Sequence, residues 1–247
     1  MTNSSSKQVV DHAKFNADGF LVFAQFADKA SIASLIAELQ SLAPSDLSDR
    51  SHRGVVFARR NLLSERLVQD ILALPAIESL RQSISEDSIP VRAILFDKIG
   101  DANWAVPWHQ DRSIMVDRRA EVTGFGPWSV KAGVIHVQPP VEILLKMFTF
   151  RLHLDSCDLN NGPLRVIPGT QHRILSPADI ENTVSTARVA ECVTDPGGLV
   201  VMRPLIVHSS LPAKVPRGRR VIHIEFGPRQ LPPPLKWAAE VPSLPAV

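Results

Sequence analysis

One stretch does most to limit the folds open to this chain. In Met147-Phe148-Thr149-Phe150-Arg151-Leu152-His153-Leu154, apolar residues take every second position (Phe148, Phe150, Leu152, Leu154), and Thr149, Arg151 and His153 fall between them. Side chains alternate across a β-strand, so this pattern predicts a strand with one apolar and one polar face. The polar face belongs either to a barrel wall washed by water or to a polar-lined internal cavity. Alternation by itself fits both.

The surrounding sequence has the same texture. From Pro90 onward, short apolar runs are separated by turns rich in Gly, Pro, Asn and Asp, with candidate strands at 91–97, 104–111, 130–137, 145–154, 164–167, 199–202, 206–209 and 219–226. Eight strands suit a jelly roll. The first third reads differently. Residues 19–23 form an apolar run of strand length, and Asp28 can cap a helix whose Ile32, Leu35, Ile36, Leu39 and Leu42 recur at three- and four-residue spacing. Residues 54–60 look extended, and 64–84 read as one or two helices broken near Pro75. The expectation is therefore one mainly β domain over 1–247: an N-terminal α-helical layer over about 1–89, a jelly-roll core over about 90–228 and a proline-rich tail over about 229–247. Pro232, Pro233, Pro234, Pro242 and Pro245 keep that tail out of a central strand, and it is expected to run extended over the surface.

Composition narrows the function classes. Hydrophobic residues make up 45% and charged residues 21% of the 247, so a sizeable core can form. A net charge of +2 gives no strong field for nucleic acid or an anionic membrane, and neither is expected as a partner. The polar N-terminus lacks the apolar core of a secretory signal, and no apolar run reaches membrane-spanning length, so a cytoplasmic location is expected. Cys157 and Cys192 are then expected as buried free thiols.

The chemistry concentrates in Trp108-His109-Gln110-Asp111 and Val207-His208-Ser209-Ser210. On an extended strand His109 and Asp111 project from the same face and can grip one ion. With His208 as third ligand the set becomes two imidazoles and one carboxylate, the arrangement of non-haem Fe(II) oxygenases. His136 and His153 are other candidate ligands, and His223-x-Glu225 repeats the His-x-carboxylate spacing and competes with the first pair. Arg219 heads a late strand, where a guanidinium can hold a carboxylate through a bidentate, charge-assisted pair.

Taken in order, Phe96-Asp97-Lys98, Trp108-His109-Gln110-Asp111, Asn161-Gly162-Pro163-Leu164-Arg165-Val166-Ile167-Pro168-Gly169-Thr170-Gln171-His172, His208-x-Ser210 and Arg219 resemble the phytanoyl-CoA dioxygenase family of Fe(II)- and 2-oxoglutarate-dependent oxygenases. The resemblance covers about residues 90–226 clearly and the first third more loosely. It implies a double-stranded β-helix, cupin-like, with His109, Asp111 and His208 binding iron. It further implies that Arg219 pairs with the C5 carboxylate of 2-oxoglutarate, Ser210 assists at that end, and Thr149 and Arg151 line the co-substrate pocket, although Arg151 is not a usual residue at its position. The implied reaction is hydroxylation of a small-molecule substrate with O2, releasing succinate and CO2. Because Asp111 is retained where related halogenases carry a small residue, hydroxylation is favoured over halogenation. Two rival readings are an inactive metal-binding homologue and a cupin-like metalloenzyme that does not use 2-oxoglutarate. Arg219 and Ser210 separate these, since only a co-substrate carboxylate needs them.

Several other residues carry two readings each. Trp104, Trp108 and Trp128 can wall a substrate pocket or pack in the core. Lys98 can meet an anionic ligand or lie exposed. Arg165 can shape the rim of the site or form a surface salt bridge. Arg112, Arg118 and Arg119 can attract an acidic substrate or remain solvated. The turn Gly124-Phe125-Gly126-Pro127 has the composition of a lid as well as of an ordinary loop.

Overall fold

The computed structural model describes residues 10–43, 49–52, 55–98, 103–215 and 217–238. The chain begins with α1 (His12–Asp18), β1 (Phe20–Phe23), α2 (Lys29–Ser41), β2 (Asp49–His52), β3 (Val55–Arg59), α3 (Arg66–Leu72) and α4 (Pro75–Ile84). It continues through β4 (Ser88–Asp97), β5 (Val106–His109), β6 (Ile114–Val116), β7 (Trp128–Lys131), β8 (Val134–Val137), α5 (Val141–Lys146), β9 (Phe148–His153) and β10 (Leu164–Ile167). It ends with α6 (Pro177–Thr186), β11 (Ala190–Cys192), β12 (Leu199–Met202), β13 (Val207–Ser210) and β14 (Arg220–Pro228). Local signals set several boundaries. Asp28 accepts a hydrogen bond from the Ser31 N–H at 2.9 Å and starts α2. Pro75 opens α4 in its first turn, so 64–84 holds two helices.

Antiparallel pairing builds a seven-stranded sheet in the order β1-β12-β9-β14-β4-β3-β2, a four-stranded sheet β11-β10-β13-β5 and a small sheet β6-β8-β7. The architecture is the mainly β jelly roll. The N-terminal third is not a helical layer alone: β1 pairs with β12 at one margin of the large sheet, and β3 and β2 extend the other margin beyond β4. Its helices bury Ile32, Leu35 and Leu39 of α2, Leu67, Val68 and Ile71 of α3, and Ile77 and Leu80 of α4. These share one core with Phe148, Phe150 and Leu152 of β9 and with Ile222, Ile224 and Phe226 of β14.

All six residues of β9 are buried. Its apolar face lies under the helices, so its polar face turns into the molecule, and of the two readings of the alternation the internal cavity is the one realised. The four-stranded sheet closes over that face. A second apolar cluster of Phe20, Leu164, Val166, Cys192, Val200, Met202 and Ile206 joins the two sheets.

Three expectations need correction. Residues 130–137 do not form one strand: β7 and β8 make a hairpin whose turn places Ala132 and Gly133 at φ 51° and 74°. Residues 145 and 146 end α5 rather than begin β9. The tail is not laid extended over the surface through Ala238. Leu231, Leu235 and Trp237 are buried in a core with Ile89, Val91 and Val116, and the Trp237 indole donates to the Pro228 carbonyl at 2.9 Å. Its remainder, with Pro242 and Pro245, the N-terminal stretch 1–9 and Gly54 at the head of the expected 54–60 segment lie outside the described residues. Cys157 and Cys192 are buried and unpaired with each other. No helix among the described residues is long and apolar enough to cross a membrane.

Candidate active site

Strands buried on both faces have an inner set of side chains, and here that set lines a cavity of about 260 Å³. From β4 come Arg92, Ile94 and Phe96, with Lys98 just beyond it; from β9, Arg151; from β14, His223 and Glu225, with Arg219 just before it. The facing strands β5 and β13 contribute His109, His208 and Ser210, and Asp111 follows β5.

His109 and His208 are register partners across β5 and β13, and their rings stand 4.2 Å apart between centroids. His109 Nε2 lies 3.7 Å from one oxygen of Asp111, and His208 Nε2 lies 3.6 Å from the other. One donor atom from each of the three side chains falls within 4.8 Å of the others, a set that could hold a metal ion. In both imidazoles Nδ1 lies at hydrogen-bond distance from the carbonyl two residues earlier, Pro107 at 2.8 Å and Ile206 at 2.9 Å. A carbonyl only accepts, so Nδ1 carries the proton and Nε2 keeps a free lone pair aimed at the centre. This donor set suits a ferrous ion, with borderline nitrogen ligands, one hard oxygen ligand and the remaining side of the ion facing the cavity.

The local electrostatics agree. Burial raises the Asp111 carboxyl, but His208 and His109, in the protonated forms they take in acid, overcome it and hold the group well below the usual carboxylate range. Burial pushes His208 down to about 4, against the pull of Asp111, so it is neutral and able to ligate near pH 7.

Gln110 holds the motif in place. Its side-chain amide donates to the Arg173 and Leu205 carbonyls at 2.9 and 2.6 Å and accepts from the Leu175 N–H at 2.8 Å. The Asp111 N–H donates to the Pro204 carbonyl at 2.9 Å. Thr170 accepts from the Val207 N–H at 2.8 Å and so fixes the start of β13.

The second feature of the cavity is positive charge. Arg219 is 2% exposed and donates to the Gly162 carbonyl, while its Nε finds no partner. Arg151 donates to His223 Nδ1 at 2.9 Å and also leaves Nε unpartnered. Lys98, only 1% exposed, donates to Ser210 Oγ at 3.0 Å and to the Leu211 carbonyl at 2.7 Å. Burial first, and then Arg219 and Arg151, push it down to about 7. None of the three has a carboxylate partner among the described residues.

The competing pair His223-x-Glu225 is occupied otherwise. Arg151 can only donate, so His223 Nδ1 accepts, and Nε2 is left to donate to Glu225 Oε1 at 3.3 Å. Both ring nitrogens are engaged, and Glu225 in turn pairs with Arg92 at 3.0 Å. Both nitrogens of His153 are buried without a partner, and burial followed by the charges of Arg151 and Arg219 keeps that ring neutral.

Of the other sequence candidates, Trp104 reaches the cavity, whereas Trp108 lies under Arg165 at 5.0 Å and packs beside α6. Trp128 packs beside the core that also holds Trp237. Thr149 is buried two residues from Arg151 but does not line the cavity. Lys98 is a lining residue and not an exposed one. Arg50, Arg60, Arg92 and Glu225 also line it. The one signal for Arg92 was its even spacing with Ile94, Phe96 and Lys98, which a strand apolar on both faces conceals.

The phytanoyl-CoA dioxygenase family model matches residues 15–221. The chain belongs to that family. The match spans both histidines of the candidate triad, its aspartate and Arg219, and also β1 to α4, so the N-terminal third is part of the family domain. Among solved structures the chain resembles AviO1 from Streptomyces viridochromogenes Tue57, at 23% identity over 90% of this chain and 95% of that one, with a TM-score of 0.65. It also resembles EctD from S. alaskensis crystallised with 2-oxoglutarate and 5-hydroxyectoine, at 14% identity over 92% and 79%, with a TM-score of 0.70. A third is the non-heme alpha ketoglutarate dependent epimerase SnoN from nogalamycin biosynthesis, at 15% identity over 87% and 79%, with a TM-score of 0.62. At these identities the likeness is one of fold. No curated protein matches the chain.

Proposed function

We propose that this family member is an Fe(II)- and 2-oxoglutarate-dependent oxygenase that hydroxylates a small organic substrate. The observation that carries the reading is the placement, in one cavity, of the His109, Asp111 and His208 donor set beside three buried cations that lack an anionic partner. Burying like charges together is costly unless an opposite charge joins them, so Lys98, Arg151 and Arg219 call for an anion, and 2-oxoglutarate brings two negative charges. Neither an inactive metal-binding homologue nor a cupin-like enzyme acting on a neutral substrate calls for such a cluster.

His109 and His208 would hold the iron through Nε2 and Asp111 through its carboxylate. When bound, the metal supplies open positions for the 2-oxoacid and O2, with succinate and CO2 as the products from the co-substrate. The protein's own contribution is orientation and charge. Arg219 is positioned by Gly162 to grip the distal carboxylate, and Lys98 holds Ser210 so that its hydroxyl faces the same end. Arg151 adds charge to the wall and engages His223, while Arg92 first and then His223 keep Glu225 ionised against its burial. Thr149 supports β9 from outside the lining. The epimerase named above has the same fold, so the outcome must be read from product.

The test is succinate release with Fe(II), ascorbate and 2-oxoglutarate over a compound panel, with mass analysis for a product one oxygen atom heavier. Arg219→Ala should weaken 2-oxoglutarate binding by about 2 to 4 kcal/mol. Iron-loaded protein that fails to bind 2-oxoglutarate discards the proposal, and a product without added oxygen discards hydroxylation.

A further inference from the structure

The cavity carries more positive charge than a metal and a dianionic co-substrate can use. Six cationic side chains line it (Arg50, Arg60, Arg92, Lys98, Arg151 and Arg219) against two carboxylates, Asp111 and Glu225. In the reading above, which this inference rests on, the deep trio of Lys98, Arg151 and Arg219 faces 2-oxoglutarate and Asp111 faces the metal. Glu225 is shared between His223 and Arg92. That leaves the wall where β4, β3 and β2 lie side by side at the margin of the large sheet.

There Arg60 is half-buried, lines the cavity, and makes no hydrogen bond or ion pair with any described residue. Arg92 uses its NH1 for Glu225, while its Nε is buried without a partner. Arg50 lies over the Phe57 ring at 5.5 Å and carries its charge to the same rim. Burial lowers the Arg60 guanidinium, and the charges of Arg50 and Arg92 lower it further. Lys131 of β7 is lowered by burial first and then by the same repulsion from Arg92 and Arg60. A desolvated guanidinium pressed among like charges is stabilised by an anion. Beside it, Phe57, Ile94, Phe96 and Trp104 give the cavity an apolar wall, with Phe57 and Trp104 in ring contact at 4.7 Å.

We propose that Arg60, flanked by Arg50 and Arg92, docks an acidic group of the primary substrate, so that the substrate class is a small organic acid, a carboxylate or a phosphate ester, with an apolar body lying against Phe57 and Trp104. Docking at the rim leaves the body of such a molecule to reach inward toward the triad, and the cavity volume limits that body to a few carbons' width beside the co-substrate.

The experiment is a calorimetric titration of the Ni(II)-loaded protein, saturated with N-oxalylglycine to occupy the Arg219 end. The probes are phenylacetate, phenyl phosphate and the neutral phenylacetamide. At least one acid should bind about tenfold or more tightly than the amide, and the tighter acid tells carboxylate from phosphate. Arg60→Gln should abolish that preference, Arg60→Lys should keep most of it, and Arg60→Glu should transfer it to phenethylamine. Melting curves on each variant identify any that fail to fold, and the comparison of acid with amide on the unaltered protein needs no variant. Equal binding of acid and amide, no acid binding at millimolar concentration, or acid binding that vanishes once N-oxalylglycine is present overturns the proposal. Failure of N-oxalylglycine itself to bind defeats the co-substrate reading instead, and is seen separately in the first titration.

Discussion

Two backbone carbonyls decide what His109 and His208 can do. By accepting from Nδ1, Pro107 and Ile206 commit both rings to offering Nε2, whereas His223 has both nitrogens engaged by Arg151 and Glu225. Asp111→Ala should therefore leave protein that no longer retains iron, and His223→Ala should retain it; metal content after desalting distinguishes the two. Lys98 gives the site a pH dependence. Its ammonium is pushed from an ordinary 10.5 down to about 7 by burial and by Arg219 and Arg151. Between about pH 7 and 10.5 the unfolded chain holds a proton that the ligand-free folded protein has released, so this group makes the ligand-free protein more stable as pH rises through that window. A bound dianion restores the charge. Binding of 2-oxoglutarate should thus take up a proton and weaken as pH climbs above about 7, which calorimetry in buffers of different ionisation enthalpy will measure. Binding that is flat across this range would place the carboxylate away from Lys98.

At the scale of elements, the Asn161-Gly162-Pro163 turn holds Arg219 from behind. Asn161 donates to the Ser156 and Gly218 carbonyls at 2.9 and 3.1 Å, and the Gly162 carbonyl receives the Arg219 guanidinium. Gly162 sits at φ +63°, where a Cβ would stand 2.5 Å from the Leu211 carbonyl oxygen. Gly162→Ala should cost about 1 to 3 kcal/mol of stability from backbone strain and weaken 2-oxoglutarate binding as well, without loss of iron. Denaturant melts and equilibrium binding on one preparation test both. The same element scale explains what the sequence concealed. The 130–137 run reads as a continuous strand because Ala132 carries no sign that it adopts a left-handed backbone, and Gly133 is its one clue. The strands β1, β2 and β3 are short, β1 pairs with the distant β12, and the β2–β3 pair joins the large sheet only through β4 beyond two helices, so nothing local says that they extend it.

For the molecule as a whole, the large sheet separates two environments. Its outer face is dry under α2, α3 and α4, and its inner face holds the polar cavity. Phe150 lies on the dry face, in contact with Phe148 and Phe226 at centroid distances of 5.4 and 4.8 Å, while its neighbour in β9, Arg151, lines the cavity on the other face. Phe150→Ala should destabilise the protein by about 3 to 5 kcal/mol, read from chemical unfolding, and a loss below about 1 kcal/mol would show that the core collapses around the gap. The order of residues was enough to establish the strand texture, the one-sidedness of 147–154 and the pairing of His109 with Asp111, because the two-residue period of a strand is a local property of covalent geometry. It was also enough to bring Arg219 forward by family resemblance. Resemblance also brought His208 forward as third ligand, and tertiary structure decided that Arg151 on the polar face of β9 lines a cavity, that both nitrogens of His223 are engaged elsewhere, and that Arg60 beside β3 reaches the same cavity as Arg92 and Lys98 of the β4 segment. Those outcomes depend on register and sheet closure between segments a hundred residues apart, and on which charges burial leaves without a partner, neither of which is written in any local stretch of sequence.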